Sequence, residues 1–162
     1  MHGTREQFCD SICQYEKQMY ALALSILRNS FDAEDAVQDA IVKAYSRYDD
    51  LRDPGKFKSW ILSIVHNTAI ESLRKSKDVL DIDQQRDLCT EENDVDGKLT
   101  LWQSVQKLKM PYREVTVLFY YGNLSVQDIS RVTSTPAVTV RQQLFRARKM
   151  LAALLHKEDF YL

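Results

Sequence analysis

The sequence of 162 residues predicts an all-α protein with two small helical domains joined by a flexible acidic linker. Apolar residues recur at steps of three and four through most of the chain, which is the period of a buried helix face. No stretch alternates apolar and polar residues as a half-buried strand would. Between the two helical parts, residues 78–97 have a block of like charge and no apolar period, which is typical of a linker.

Charge is distributed unevenly along the chain, although the net charge is only −1. Residues 1–77 carry eleven acidic and eleven basic side chains, whereas residues 78–97 carry eight acidic side chains and one basic. Residues 98–162 carry ten basic side chains and four acidic. We therefore expect domains at 1–77 and 98–162 with the linker between them. A basic C-terminal domain suits a nucleic-acid partner.

The composition predicts a soluble, cytoplasmic protein without a bound cofactor. Hydrophobic residues make up 44% of the chain and charged residues 28%, and no apolar run is long enough for a signal peptide or a membrane span. Three cysteines argue against a disulfide framework. Cys9 and Cys13 are one helical turn apart, but two ligands without a second pair fall short of a zinc site. We expect no metal, and thiols that are buried or incidental.

Three helices are predicted in the N-terminal domain. They run from about Thr4 to Leu27, from a cap at Asp32, and from about Phe57 to Lys75 after a loop that contains Pro54-Gly55. The predicted inward positions are Phe8, Ile12, Tyr15, Met19, Leu22 and Ile26; then Ala33, Ala36, Val37, Ala40, Ile41, Ala44 and Tyr45; then Phe57, Trp60, Ile61, Ile64, Thr68 and Leu73.

Two helices and then a helix-turn-helix are predicted in the C-terminal domain. The first two run from about Asp96 to Leu108 and from Tyr112 to Tyr121. Ser125 caps the next helix, and Asp128 can return a capping bond. A turn over residues 133–136 leads into the last helix, with Thr135 as a cap and a proline in the first turn. Its buried face is formed by Ala137, Val140, Leu144, Ala147, Leu151 and Leu154.

The polar side of this last helix has the chemistry that reads DNA. Glutamine bonds adenine edges, arginine bonds guanine edges or phosphates, and threonine can contact a thymine methyl group. A short helix, a tight turn and a longer helix with such a side form a helix-turn-helix. An ordinary helical hairpin with a solvated face is the alternative. The candidate DNA-binding residues are Pro136, Thr139, Arg141, Gln142, Gln143, Arg146 and Arg148.

Three stretches of the sequence resemble the motifs of one protein family. Residues 32–40 (DAEDAVQDA), and residues 57–61 (FKSWI) through Asn67 to residues 73–75 (LRK), resemble the two halves of the N-terminal domain of bacterial RNA polymerase sigma factors of the extracytoplasmic-function type. Residues 110–115 (MPYREV) through 145–148 (FRAR) resemble their C-terminal domain. The sequence departs from the family at Asp128-Ile129-Ser130, where Glu-Ile-Ala is more usual, and at Gln143, where relatives are often basic.

The resemblance implies three functional surfaces and no catalytic residues. The second helix would dock on the clamp helices of the polymerase large subunit through Glu34, Asp35, Gln38 and Asp39. The loop at 51–56 and the third helix would melt the start-proximal (minus-ten) promoter element. The residues for that element are Lys56, Lys58, Arg74 and Lys75 for phosphates, and Ser63, His66 and Asn67 for hydrogen bonds on an exposed side.

The implied function is that of a sigma factor, which is not an enzyme. The helix-turn-helix would read the upstream (minus-thirty-five) element, and the partners would be the polymerase core (clamp helices and flap), promoter DNA and an anti-sigma factor. The residues alone leave two alternatives open. One is a stand-alone dimeric helix-turn-helix regulator, and the other is a helical metal- or thiol-dependent sensor or enzyme that uses Cys9, Cys13 and a histidine.

Overall fold

The computed structural model describes residues 4–79 and 100–159, and within these ranges the protein has helices and no strand. This confirms the all-α prediction. Two short 3₁₀ turns, Tyr48–Asp50 and Pro54–Lys56, separate the second and third helices. The α-helices are α1 (Arg5–Leu27), α2 (Ser30–Ser46), α3 (Phe57–Val79), α4 (Leu101–Gln106), α5 (Tyr112–Tyr120), α6 (Val126–Thr133) and α7 (Ala137–Asp159).

The N-terminal helices begin at side-chain caps, one of which differs from the prediction. Thr4 and Gln7 form a reciprocal capping box at the start of α1. The cap of α2 is Asn29, whose side chain accepts from the Asp32 N–H at 3.0 Å. The prediction of Asp32 as the cap is therefore wrong, because Asp32 lies inside the first turn. Its carboxylate is still well placed there, since the N-terminus of a helix attracts negative charge.

Helices α1, α2 and α3 pack on one another around a core that the apolar spacing predicted well. Met19, Leu22, Ala33 and Ile61 are completely buried. Tyr45 was predicted to be buried, and this is wrong, because 48% of it is exposed. It lies at the rim, with its ring edge-on to Phe8 and 5.4 Å from it between centroids.

The C-terminal domain builds the helix-turn-helix from α6 and α7. Ser125 accepts from the Asp128 N–H at 3.1 Å, as a cap does. The Asp128 carboxylate, which was expected to return a capping bond, accepts from Arg131 at 3.4 Å. The turn between the helices is closed by the Ser130 hydroxyl, which donates to the Thr135 carbonyl at 2.6 Å. Ile129, Val132, Val140 and Leu144 are buried, so the predicted inner faces of both helices are confirmed.

The two domains pack against each other and share one apolar core. Helix α1 contacts α5, and α3 contacts α6. The core that includes Leu62 and Val65 of α3 continues through Leu118, Ile129 and Val132 of the C-terminal domain. This contact between the domains was not predicted from the sequence. The predicted linker begins where α3 still continues to Val79, and its remaining residues, 80–97, lie outside the described residues.

In the part of the chain that the structure describes, no helix has the length and apolarity that a membrane crossing requires.

Candidate nucleic-acid interface

The outer side of α2 presents an exposed acidic surface. Glu34, Asp35, Gln38 and Asp39 are all exposed, as their spacing opposite the alanines implies. Ala33, Ala36 and Ala40 lie beneath them with at most 2% exposure, so the helix backbone sits close to the core. The polar side chains of this acidic α2 surface are therefore accessible from outside the domain.

Two exposed apolar side chains flank the acidic α2 surface, and the sequence analysis did not single them out. Phe31 is 76% exposed and Val42 is 70% exposed. With Asp35 and Gln38 they recur at steps of four, three and four, which places all four on one side of the helix. That period is visible in the sequence, where only the charged and amide side chains were predicted to bind.

One side of α3, with the turn before it, collects most of the residues predicted for the start-proximal element. Lys56, Asn67, Arg74 and Lys75 are exposed, and Ser63 is half-buried beside them. Lys75 Nζ lies 3.2 Å from the Glu71 carboxylate one turn earlier. Hydrogen bonding from Lys75, together with the charges of Lys43 and Lys75, holds the pKa of Glu71 below its ordinary value.

Two other residues of that predicted set are engaged by the C-terminal domain. His66 was expected on an exposed side, and this is wrong, because 9% of it is exposed and its Nε2 lies 3.0 Å from Glu114 Oε2. Lys58 is half-buried and donates to the Asn123 carbonyl at 3.3 Å. Both lie on the side of α3 that faces the C-terminal domain. The expected α3 surface is thus divided into an open part and a covered part.

The outer side of α7 presents most of the predicted upstream-element residues together. Arg141, Gln142 and Arg146 are exposed, Thr139 and Gln143 are half-buried on one flank, and Pro136 is exposed just before the helix. Two exposed apolar residues share this side but were not predicted. Val138 is 63% exposed and Phe145 56% exposed, and Lys149 Nζ lies 4.6 Å from the Phe145 ring centroid. Val138, Gln142 and Phe145 are spaced by four and three residues. This helical spacing could have predicted that the two apolar residues share the outer side of α7.

Arg148 lies on the other flank of α7, against α5. Its Nε donates to the Tyr120 hydroxyl at 2.9 Å, and its guanidinium carbon is 5.3 Å from the Phe119 ring centroid. The same side chain lines an apolar groove with Leu101, Val105 and Leu151. Arg148 is therefore held by aromatic neighbours rather than extended beside Arg141 and Arg146.

The described residues do not bring together three or more side chains of the kind that could hold a metal ion. Cys9 and Cys13 are both free and exposed on α1, so neither thiol is buried. The predicted binding residues that are exposed lie on α2, on α3 with the turn before it, and on α7 with the residue before it.

Both helical domains are similar to domains of known proteins. The family model Sigma-70 region 2 matches residues 12–79, and the model Sigma-70, region 4 matches residues 98–151. RNA polymerase sigma factor SigV of Bacillus subtilis (strain 168) is 31% identical over 158 residues, which covers 96% of this chain and 95% of the relative. ECF RNA polymerase sigma factor SigW of the same organism is 30% identical, covering 92% of this chain and 89% of the relative.

Two solved structures share the fold. One is the sigma factor RpoE in complex with the anti-sigma factor NepR from Bartonella quintana, with a TM-score of 0.77, 23% identity, and coverage of 92% of this chain and 96% of that chain. The other is CnrH in complex with the cytosolic domain of CnrY, with a TM-score of 0.67, 23% identity, and coverage of 96% and 91%.

These matches span both helical domains in order and set aside the dimeric regulator and the metal or thiol sensor. The chain belongs to the extracytoplasmic-function family of RNA polymerase sigma factors.

Proposed function

We propose that this sigma factor directs promoter-specific initiation by using its three exposed surfaces for three separate tasks. The acidic α2 surface docks on the clamp helices of the polymerase core. The open side of α3 takes part in recognising and melting the start-proximal element, and the outer side of α7 reads the upstream element. The domains responsible are residues 1–77 and 98–162. The protein acts in the cytoplasm, without a cofactor or catalytic chemistry of its own, in a stress or envelope response.

The observation that carries this proposal is the helix-turn-helix with its polar outer side. Because α6 and the inner face of α7 form a buried core, the orientation of α7 is fixed before DNA arrives. Arg141, Gln142 and Arg146 then extend from a rigid helix, and a helix of this diameter fits the major groove. Such preorganisation lowers the entropic cost of binding.

Partner recognition at α2 rests on charge and on two apolar side chains. Carboxylates of Glu34, Asp35 and Asp39 would steer and register the encounter with a basic partner. Phe31 and Val42 would add apolar area at the two ends of the same surface. The flap of polymerase and an anti-sigma factor complete the proposed partners. The relatives RpoE and CnrH were solved with NepR and CnrY, which supports an anti-sigma factor of this kind.

Removing the charge of the acidic α2 surface tests its role. We expect the double variant Asp35→Asn with Asp39→Asn to bind purified polymerase core about tenfold more weakly, which corresponds to ~1.4 kcal/mol. The matched control is Asp10→Asn with Glu16→Asn, which removes two charges from exposed positions of α1. Helicity is followed by circular dichroism. Unchanged affinity in a double variant of normal helicity would show that this surface does not dock.

A further inference from the structure

Two cysteines lie one helical turn apart on the outer side of α1. Cys9 and Cys13 are both free and exposed. Residues four apart in a helix are neighbours, with their Cβ atoms about 5–6 Å apart. The third cysteine of the sequence, Cys89, lies outside the described residues. The structure therefore presents a pair of accessible thiols on one side of one helix.

The helix that carries these thiols is held in place on its other side. Phe8 and Ile12, each of which precedes one of the cysteines, are buried. The Phe8 ring lies edge-on to Tyr48 and Phe57, at 5.0 and 6.2 Å between centroids. The capping box of Thr4 closes the first turn of the helix. The backbone beneath the two thiols is thus fixed before a ligand arrives, which lowers the entropic cost of binding.

The spacing of the two thiols suits an atom that bridges the sulfurs better than a direct bond between them. A disulfide requires Cβ atoms about 3.5–4.5 Å apart, which is closer than a helix places residues four apart. A sulfur–metal bond is about 2.3 Å long, so two such bonds in line hold the sulfurs about 4.6 Å apart. Cys9 and Cys13 can reach that separation by rotating their side chains, without unwinding α1.

The number and softness of the donors decide which ion the pair can hold. A structural zinc ion takes four protein ligands. The residues that the structure describes do not bring together even three side chains that could supply them. Thiolates are soft donors, and monovalent copper is a soft ion that they select. Because this closed-shell ion forms linear complexes with two thiolates, two sulfurs complete its coordination.

We propose that Cys9 and Cys13 form a two-coordinate binding site for monovalent copper. Each thiol loses its proton, and each sulfur donates an electron pair to the ion. One Cu⁺ and two thiols thus give one dithiolate complex of charge −1 and two released protons, with no change in oxidation state. Lys17 is exposed one turn after Cys13, where its ammonium group can offset the added negative charge.

This copper site is separate from the surfaces proposed for polymerase and promoter DNA. It lies on α1, whereas those surfaces lie on α2, α3 and α7. The inference therefore goes beyond the proposed function and does not rest on it, and initiation as proposed does not require the ion. An ion that binds the folded helix better than the two thiols of an unfolded chain stabilises the N-terminal domain.

The experiment is an anaerobic titration of the full-length chain with Cu⁺ in competition with a chromophoric Cu⁺ chelator. Cys89→Ser in every protein removes the third thiol. We expect one ion per chain and an affinity that rises with pH, because each ion displaces two protons. Cys9→Ser and Cys13→Ser should each lower the affinity about a hundredfold, since the second sulfur otherwise binds within the same molecule.

Two control variants keep two thiols and change only their spacing. Asp10→Cys with Cys9→Ser places the thiols three residues apart, still on one side of the helix, and should retain binding. Gln14→Cys with Cys13→Ser places them five residues apart, on different sides, and should lower the affinity about a hundredfold. Positions 10 and 14 are exposed, so neither substitution alters the core. Circular dichroism follows the helicity of each protein.

Three results would overturn the proposal. In the first, the variant with five-residue spacing binds Cu⁺ as tightly as the parent, which would show that the helix does not position the two sulfurs. In the second, both single serine variants keep the affinity of the parent. In the third, light scattering shows that Cu⁺ joins two chains, so that the ion is bound between molecules. If the five-residue variant loses helicity, the serine variants and light scattering decide the outcome.

Discussion

Glu71 is an exposed carboxylate whose ionisation is set by two lysines on different helices. Lys75 lies one turn further along α3 at 3.2 Å, and Lys43 reaches across from α2 at 3.5 Å. Both favour the charged form, so the pKa of Glu71 is lowered, chiefly by hydrogen bonding from Lys75. The Glu71–Lys75 ion pair is exposed, so its contribution to the free energy of folding is small.

The first prediction concerns the titration of this group. Carboxyl NMR should give Glu71 a pKa below the ordinary glutamate value, and Lys75→Gln should raise it toward that value. Because the folded-state pKa is lowered, the stabilisation is present at neutral pH and is lost as pH falls through the lowered pKa. Lys77→Gln, two residues further on, is the control substitution. An ordinary pKa for Glu71 in the parent would show that the lysines do not bond it in solution.

His66 illustrates how tertiary contacts decide the role of a residue that local pattern leaves ambiguous. In α3 it lies between the outer side, where Asn67 is exposed, and the side on which Leu62 and Val65 are buried. Nothing within the helix specifies that a carboxylate 48 residues later will accept from it. The pairing with Glu114 depends on how two domains meet, and helical period alone does not determine that.

The turn between α5 and α6 sets the direction in which the helix-turn-helix leaves α5. Gly122 donates its N–H to the Val117 carbonyl, and Asn123 follows with a φ of 53°. A Cβ on Gly122 would lie 2.6 Å from the Leu118 carbonyl oxygen, a backbone atom that cannot move aside freely. Glycine is required here by the close approach of the backbone.

The second prediction follows from that approach. Gly122→Ala should lower the free energy of unfolding by about 1–3 kcal/mol, the usual cost of forcing extra volume into a packed site. Gly55→Ala is the matched control, because its Cβ would meet only the movable Asp53 carboxylate at 3.2 Å. Urea denaturation of both variants makes the measurement. Equal stability of the two variants would contradict the geometry of the turn.

The third prediction concerns α7, whose exposed side chains should contact different parts of the promoter DNA. Loss of a bidentate base contact in Gln142→Ala should cost about 1–3 kcal/mol and change sequence preference at one position. Arg148→Ala should affect sequence preference least, because Arg148 bonds Tyr120 on the flank of the helix. Binding-site selection from a duplex library compares the variants. Identical preferences in the parent and Gln142→Ala would place this residue away from the groove.

Helix period predicted most elements but not their mutual packing. The buried faces of α1, α6 and α7 were predicted because one apolar stripe contains most of the buried positions of each helix. In α3, Phe57, Ile61 and Ile64 were predicted to be buried, whereas Leu62, Val65 and Ala69, which are also buried, were not. Long-range contacts such as Lys58 with the Asn123 carbonyl leave no local signal. The exposed apolar residues Phe31 and Phe145, in contrast, have a local signal in the sequence, because each is spaced by three or four residues from a polar residue of the same surface.

At the scale of the whole molecule, the three surfaces differ in whether the contact between the domains covers them. The acidic α2 surface and the outer side of α7 lie away from it, whereas α3 lies partly within it. The contact between the domains therefore covers part of one surface and leaves the other two exposed.

The central claim is that this chain makes polymerase core initiate at particular promoters. Run-off transcription tests it most directly, with purified core and genomic fragments from the organism that encodes the chain. We expect discrete transcripts that require both core and chain, and that are strongly reduced when the double variant Asp35→Asn with Asp39→Asn replaces the parent. The same set of transcripts with and without folded chain would contradict the account.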